Sequence, residues 1–297
     1  MATAVAAQVG VTPRSEAVRS AARTAGLTVV VFGVFWAVWE GYRWLGETLG
    51  TTWPFEVNER TMPHVHDMFG QLFEPSRRNG PLLISVLLDA AAFTAKEAAA
   101  GFLLGAVIGF AIAVVLAQSR LLQRGFLPYI VASQTVPILA IAPMVVVWIN
   151  PKLPPSLSGW GAVAVISAYL TFFPVTINTL RGLQSADPRA VELMRSYAAR
   201  RLPILWKLQV PASLPFLFAA LKVSAPAAVV GAIIGELPSS IQDGLAGAIL
   251  NFNQYYVSSP PSLWATNIVA AALGILFFGV VAIAEKLVVR RAPEYVA

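Results

Sequence analysis

Few residues of this 297-residue chain are of the kinds that carry out chemistry, and their spacing excludes several kinds of site. No lysine follows a glycine, so the Gly-Lys-Ser/Thr sequence with which a P-loop holds nucleotide phosphates is missing. The chain therefore cannot hydrolyse ATP by that mechanism, and any ATP-driven function requires a separate subunit. Cysteine is absent, which excludes disulfides, thiolate metal sites and cysteine nucleophiles. His64 and His66 form one H-x-H pair with no further histidine to complete a metal site, so we predict a surface role and no metal.

Charged residues within apolar segments are the remaining functional suspects. Lys222 lies near the middle of a long apolar segment, and three roles are open to it: snorkelling to the membrane surface, pairing with an acid, or lining a passage. Glu236 follows the same segment, with Asp243 nearby. For Glu236 we favour a structural or gating role over substrate binding, because an acid at the membrane interface can simply be hydrated.

The composition indicates the class of protein that must position these residues. The chain is 57% hydrophobic and only 12% charged, with a mean hydropathy of +0.68. Soluble domains carry about 25% charged residues, so a water-soluble enzyme of this size and a disordered chain are both excluded. The net charge of +6 favours the cytoplasmic face of a membrane over nucleic acid as the partner.

Six apolar segments are each about long enough to cross a bilayer as a helix. They cover residues 26–45, 98–117, 126–149, 159–180, 212–234 and 263–284. We expect the first to be retained, because it is too long for a signal peptide and no cleavage site follows it. Residues 82–97 are predicted either to lie along the outer interface or to extend the second span. The positive-inside rule places both termini in the cytoplasm, since that orientation puts fourteen Lys and Arg inside and five outside.

The longest predicted cytoplasmic loop, residues 181–211, has the signals of a short helix. Asp187 and Pro188 favour a helix start, and Pro203 is expected to end the helix after about three turns. Its apolar residues are too many for a fully solvated face. From the residues alone, a projecting helix that docks on another protein and an amphipathic helix resting on lipid headgroups are equally supported.

This loop resembles the signature of the membrane subunits of binding-protein-dependent ABC importers, in which EAA, a glycine and a final I-x-L-P occur at fixed spacing. Glu192-Leu193-Met194 occupies the EAA position, Ala198 the glycine position, and the segment ending at Pro211 closes the motif. The resemblance implies that the loop is a coupling helix that docks on a separate ATPase subunit. The residues implied to take part are Asp187, Arg189, Val191, Glu192, Met194, Arg195, Tyr197, Ala198 and Pro211.

Two further segments resemble the nitrate, sulfonate and taurine branch of these permeases. They are Gln134–Trp148, with its P-x-x-A-x-x-P pattern, and Leu221–Leu245, in which an acidic residue and a glycine-rich stretch follow the span. The resemblance favours a water-filled passage beside the proline-freed carbonyls, although each polar residue alone is more often a helix-packing residue. The candidate pathway residues are Gln134, Thr135, Pro137, Pro143, Tyr169, Thr171, Asn178, Lys222, Ser224 and Glu236.

Gly101, Gly105 and Gly109 form a G-x-x-x-G-x-x-x-G ridge that lets another helix approach closely. The ridge indicates packing, and its neighbour can belong to this chain or to a second copy.

We therefore predict an all-α, six-span protein with the fold of a type I ABC importer permease. Its predicted parts are an N-terminal tail (1–25), a first helix with an outer loop (26–80), a permease core (81–291, including 181–211) and a C-terminal tail (292–297). The resemblance implies an inner-membrane homodimer, two ATPases that bind ATP and Mg, an extracytoplasmic binding protein, and no cofactor on this chain. The implied solute is a sulfonate, taurine, nitrate or a pyrimidine-like vitamin precursor. The alternatives are a proton-coupled secondary transporter and a membrane scaffold that transports nothing.

Overall fold

The computed structural model describes residues 13–50, 56–77, 80–239 and 241–289. Its helices are α1 (Pro13–Leu49), α2 (Val65–Gly70), α3 (Leu83–Ala117), α4 (Arg120–Ser133), α5 (Ile138–Ile149), α6 (Trp160–Gln184), α7 (Pro188–Ser196), α8 (Arg201–Ile204), α9 (Val210–Ser239), α10 (Leu245–Gln254) and α11 (Pro260–Val288). The described residues contain no named β-strand, which agrees with the predicted all-α class. The predicted C-terminal tail and the first twelve residues of the N-terminal tail lie outside the described residues.

The chain divides into two compact units, residues 1–70 and 71–297. In the first unit, the segment before α2 is held on α1 by two hydrogen bonds. Nη1 of the buried Arg43 donates to the Met62 carbonyl at 2.7 Å, and Nε1 of Trp39 donates to the Pro63 carbonyl at 3.2 Å. The predicted boundary between residues 80 and 81 stays a prediction.

Four helical segments of the described chain are long and apolar enough to cross a membrane. They are α3, α6, the continuous stretch Arg201–Ser239 that includes α8 and α9, and α11. The pair α4 and α5 adds a fifth span if it counts as one broken span, and the first predicted span lies within α1, outside this count. The predicted all-α membrane architecture is confirmed, and the predicted count of six membrane spans is approximate. Residues 83–97 extend the second predicted span, because α3 is one helix of 35 residues.

The third predicted span, residues 126–149, is not one continuous helix. Its two halves, α4 and α5, are bent by 99° at a break over residues 134–137. Pro137 is the N-cap of α5, where its fixed φ and missing N–H are tolerated, and proline disfavours helical geometry in the residue before it. Pro143, Pro174 and Pro226 lie inside helices instead.

The core of the second unit is formed by α3, α6 and α9, with α11 packed against α9. Leu83 and Leu87 of α3, Val163 of α6 and Val229 of α9 belong to one buried cluster. A second cluster joins Leu116 of α3 to Leu183 of α6 and to Leu205, in the short π-helical segment between α8 and α9. The helix ends on both sides of α7 are therefore held in the core.

Candidate coupling helix and translocation pathway

The helix α7 begins where the sequence predicts. Oδ1 of Asp187 accepts a hydrogen bond from the Arg189 amide at 2.9 Å, and Pro188 occupies the first helical position. The predicted end at Pro203 is wrong, because α7 ends at Ser196. Pro203 lies in the first turn of α8, where the missing N–H would have no partner within the helix in any case.

The end of α7 is a left-handed turn at Ala198, the position of the family's glycine. Ala198 has a φ of 56° and is the one non-glycine residue with positive φ among the described residues. Its amide donates to the Arg195 carbonyl at 2.9 Å, and the Ala199 amide donates to the Met194 carbonyl at 3.0 Å. These two bonds form a Schellman motif, which normally uses glycine because a Cβ in this conformation costs about 1–2 kcal/mol.

The residues predicted to contact an ATPase lie on a projecting surface. Leu193 and Tyr197 are large apolar side chains, yet they are 58% and 80% exposed. Val191 and Met194 are partly exposed, and the other predicted residues are exposed: Asp187, Arg189, Glu192, Arg195, Ala198 and Pro211, the last in the first turn of α9. The buried residues that flank α7, Ala186 on one side and Ile204 and Leu205 on the other, hold the projection in place.

A cleft of about 240 Å³ opens at the break between α4 and α5. The structure brings the predicted residues Gln134 and Tyr169 together in its wall, with Val136 and Phe173 among the apolar lining residues. The Tyr169 hydroxyl donates to the Ser133 carbonyl, which also accepts a hydrogen bond from the Val136 amide at 3.3 Å in the break. Tyr169 therefore fixes the broken helix to α6. Thr135 and Pro137 lie within the break, and Pro143 lies in the second turn of α5.

The other predicted pathway residues are held by partners within the chain. Asn178 donates to the Pro174 carbonyl of its own helix at 2.9 Å, and the buried Ser224 hydroxyl lies 3.5 Å from the carbonyl of the buried Thr171. Of the three roles open to Lys222, the structure shows pairing with an acid. Its Nζ lies 2.7 Å from Oε2 of Glu285, and both side chains are about a quarter exposed.

Glu236 belongs to a buried network that sequence reasoning did not assemble. Its carboxylate accepts a hydrogen bond from the Thr94 hydroxyl at 2.6 Å and one from the Ala246 amide at 2.8 Å. The Thr94 oxygen in turn accepts from the Leu245 amide at 2.9 Å, so α3 and α9 both hold the start of α10. Glu97, one turn after Thr94, is fully buried, and neither of its carboxyl oxygens has a hydrogen-bond partner among the described residues. The available hint of this network in the sequence was that Thr94 and Glu97 lie three residues apart, about one helical turn.

The glycine ridge packs against α6 of the same chain, which answers the question that the sequence left open. A Cβ built on Gly105 would lie 2.5 Å from the Ala168 carbonyl oxygen, and one on Gly109 would lie 2.6 Å from the Phe172 carbonyl oxygen. Gly101 faces Ala164 in the same way, at 2.5 Å. The two helices are therefore in backbone contact over two turns.

Comparison with known proteins identifies the family. The family described as "Binding-protein-dependent transport system inner membrane component" matches residues 101–290, which include the glycine ridge, the cleft and α7. The chain belongs to this family. It is an ABC importer permease, a translocation subunit of the inner membrane that is not itself an enzyme, and this confirms the resemblance seen in the sequence.

Two curated relatives and one solved structure show how far the similarity extends. The formylaminopyrimidine transport permease protein ThiX of Halalkalibacterium halodurans is 31% identical over 63% of this chain and 71% of its own length. The putative aliphatic sulfonates transport permease protein SsuC of Bacillus subtilis is 27% identical over 87% of this chain and 85% of its own. A crystal structure of an amino acid ABC transporter with histidines matches with a TM-score of 0.55 at 14% identity, covering 69% of this chain and 95% of that chain. At this identity the match shows the shared fold alone.

Proposed function

We propose that two copies of this ABC importer permease form the translocation pathway, with α7 of each copy docked on a cytoplasmic ATPase subunit. The observation that carries this proposal is the exposed apolar surface of α7. Leu193 and Tyr197 project from a helix whose flanking segments are buried, which is the arrangement expected of a docking surface. ATP and Mg bind on the ATPase, and an extracytoplasmic binding protein delivers the solute.

The packing around α7 supports a mechanical route from the ATPase to the pathway. Leu205, just after α8, belongs to the same buried cluster as Leu183 of α6 and Leu116 of α3. Closely packed clusters of this kind transmit displacement instead of absorbing it. A displacement of α7 therefore moves α6, and α6 carries Tyr169, which is bonded to the break between α4 and α5. Closure of the ATPases would in this way change the access to the cleft.

We assign a small solute to this pathway. Among the relatives, one is named for formylaminopyrimidine and another for aliphatic sulfonates, and both solutes are small. Most residues of the cleft are apolar or aromatic, with Ser133, Gln134 and Tyr169 as polar members. A wall of this kind suits passage better than tight capture, so most of the selectivity is assigned to the binding protein. We also propose that both termini and α7 lie on the cytoplasmic side, as the positive-inside rule predicts.

The docking surface is tested by adding charge to it. In the double variant Leu193→Asp, Tyr197→Asp we expect ATPase co-purification to weaken roughly 30-fold or more, as it does when an interface loses about 2 kcal/mol. Membrane insertion should be normal, because both side chains are exposed. Leu121→Asp is the matched control, since Leu121 is 81% exposed in the first turn of α4 and outside α7. Normal ATPase binding and normal uptake in the double variant would disprove the assignment.

The source of energy is tested separately. The purified chain alone in liposomes should not accumulate solute under a pH gradient. Uptake should appear when the ATPase, the binding protein and internal ATP are supplied together. Accumulation by the lone chain under a pH gradient would instead establish a proton-coupled carrier.

A further inference from the structure

The fold brings Glu40 of α1 next to the H-x-H pair that precedes and opens α2. Oε2 of Glu40 lies 2.7 Å from Nδ1 of His64, and Oε1 accepts a hydrogen bond from the Val65 amide at 3.0 Å. Glu40 and His64 are 24 residues apart in the sequence. The expectation of no metal site considered only histidine and cysteine as ligands, and it did not include this carboxylate.

The three side chains have the geometry of an incomplete metal site. The rings of His64 and His66 are stacked with centroids 5.0 Å apart, and one ligand atom from each of Glu40, His64 and His66 lies within 4.8 Å of the other two. A tetrahedral ion with bonds of about 2.0–2.2 Å requires ligand atoms about 3.3–3.6 Å apart. Shifts of roughly an ångström or less therefore close the site. The Glu40 and His64 ligand atoms, now 2.7 Å apart in a hydrogen bond, must separate by about 0.6 Å. His66 can move inward because its side chain is 71% exposed.

The backbone around the site is already held in place. The bonds from Arg43 to the Met62 carbonyl and from Trp39 to the Pro63 carbonyl fix the chain just before His64 onto α1. The bond from the Val65 amide fixes Glu40 in turn. The pairing of His66 with Asp67 at 3.2 Å joins two exposed side chains, and an ion can displace it at little cost. Ligands that are ordered before binding lose little entropy when the ion arrives.

We propose that Glu40, His64 and His66 bind one divalent transition-metal ion of the Zn²⁺ class. Two imidazoles and one carboxylate suit Zn²⁺, Ni²⁺ or Cu²⁺ and disfavour Mg²⁺ and Ca²⁺, which prefer sets made up of oxygen ligands. Water completes the coordination. The bound ion links α1 to the segment that enters α2, and so it stabilises the first compact unit of the chain.

The test uses the full-length protein in detergent, purified without a polyhistidine tag and stripped with a chelator. The chain contains two histidines, so a metal–imidazole signal from the protein has one source. We expect Co²⁺ titration to give the visible absorption of a tetrahedral complex that saturates at one ion per chain. Zn²⁺ should then displace Co²⁺, and Zn²⁺ should raise the melting temperature of the wild type.

Four variants locate the ligands. His66→Ala removes an exposed ligand with little risk to folding, and His64→Ala removes the second imidazole. Glu40→Gln keeps the shape of the side chain but loses its charge. Each should weaken Co²⁺ binding about 100-fold or more, which exceeds the effect of losing an outer-shell partner. Glu59→Gln, an exposed acid of the same unit, is the control and should bind like the wild type.

Three results would overturn the proposal. The first is the absence of one-to-one binding at micromolar Co²⁺ in the wild type. The second is binding that survives His66→Ala, which would place the ion elsewhere. The third is equal binding in Glu40→Gln and Glu59→Gln, which would leave the carboxylate of Glu40 as a partner of His64 and no more. ATPase co-purification is independent of all three results, because α7 lies in the other compact unit.

Discussion

A methyl group added at Gly105 would collide with α6. The new Cβ in Gly105→Ala would lie 2.5 Å from the Ala168 carbonyl oxygen and 2.6 Å from Cβ of Thr171, whereas ordinary van der Waals contact begins at 3.4 Å. Neither obstacle can rotate away, because one is backbone and the other is the first side-chain carbon of a fully buried residue. The helices must therefore separate by up to about 0.9 Å, a gap at which packed atoms lose roughly a quarter to a half of their dispersion attraction.

The net effect combines two opposing contributions. Overpacking of a core costs about 1–3 kcal/mol, whereas alanine is favoured over glycine in a helix interior by about 1 kcal/mol. Gly279→Ala isolates the second contribution, because a Cβ on Gly279 of α11 meets nothing within 4 Å. The free energy of unfolding should therefore differ by about 1–3 kcal/mol between the two variants, with Gly105→Ala the less stable.

Melting of the detergent-solubilised protein measures this difference. At about 2–4 °C per kcal/mol, Gly105→Ala should melt roughly 2–12 °C below Gly279→Ala. Gly105→Leu should melt lower still, because the larger side chain requires a wider separation of α3 and α6. Equal melting temperatures for Gly105→Ala and Gly279→Ala would refute the close contact, and the ridge would then face lipid.

Three further changes test other contacts. Ala198→Gly should raise the free energy of unfolding by about 1 kcal/mol, since glycine adopts positive φ without a Cβ penalty; a lower melting temperature would contradict the left-handed turn. Thr94→Val removes a hydrogen-bond donor to Glu236 and the acceptor of the Leu245 amide. Each buried group left unpaired should cost about 1–3 kcal/mol of the free energy of unfolding. Hydrogen exchange of the Leu245 amide should become faster, and unchanged exchange would refute the network. Lys222→Met alone should lower the melting temperature more than Lys222→Met combined with Glu285→Gln, because the single change leaves an unpaired carboxylate. Additive shifts of the melting temperature would contradict the pairing.

The membrane-spanning helices could be predicted because their signals are local. An apolar run such as residues 98–117 must satisfy its backbone within its own helix in a bilayer, whatever its neighbours are. The start of α7 was equally local, since Asp187 caps a helix that Pro188 opens. The family resemblance came from residues of the same loop.

The errors arose where local signals were ambiguous. Proline can break a helix or be tolerated within one, and the sequence does not say which prolines do which. Pro137 lies at a 99° break, whereas Pro143 and Pro174 remain within helices. The end of α7 carries alanine where the motif expects glycine, so no residue type marks the left-handed turn at Ala198. The end of the helix was therefore predicted at Pro203 instead.

Composition, hydropathy and the spacing of one loop were thus sufficient for the class of protein, most of its membrane-spanning helices and its family. The tertiary structure alone decided which residues meet. Thr94 and Glu236 are 142 residues apart, and Glu40 and His64 are 24 apart. The glycine ridge required a partner, and only the packed fold shows that α6 is that partner. The physical reason is that hydropathy and capping act between residues a few positions apart, whereas a buried hydrogen bond or a ligand set depends on how whole helices pack.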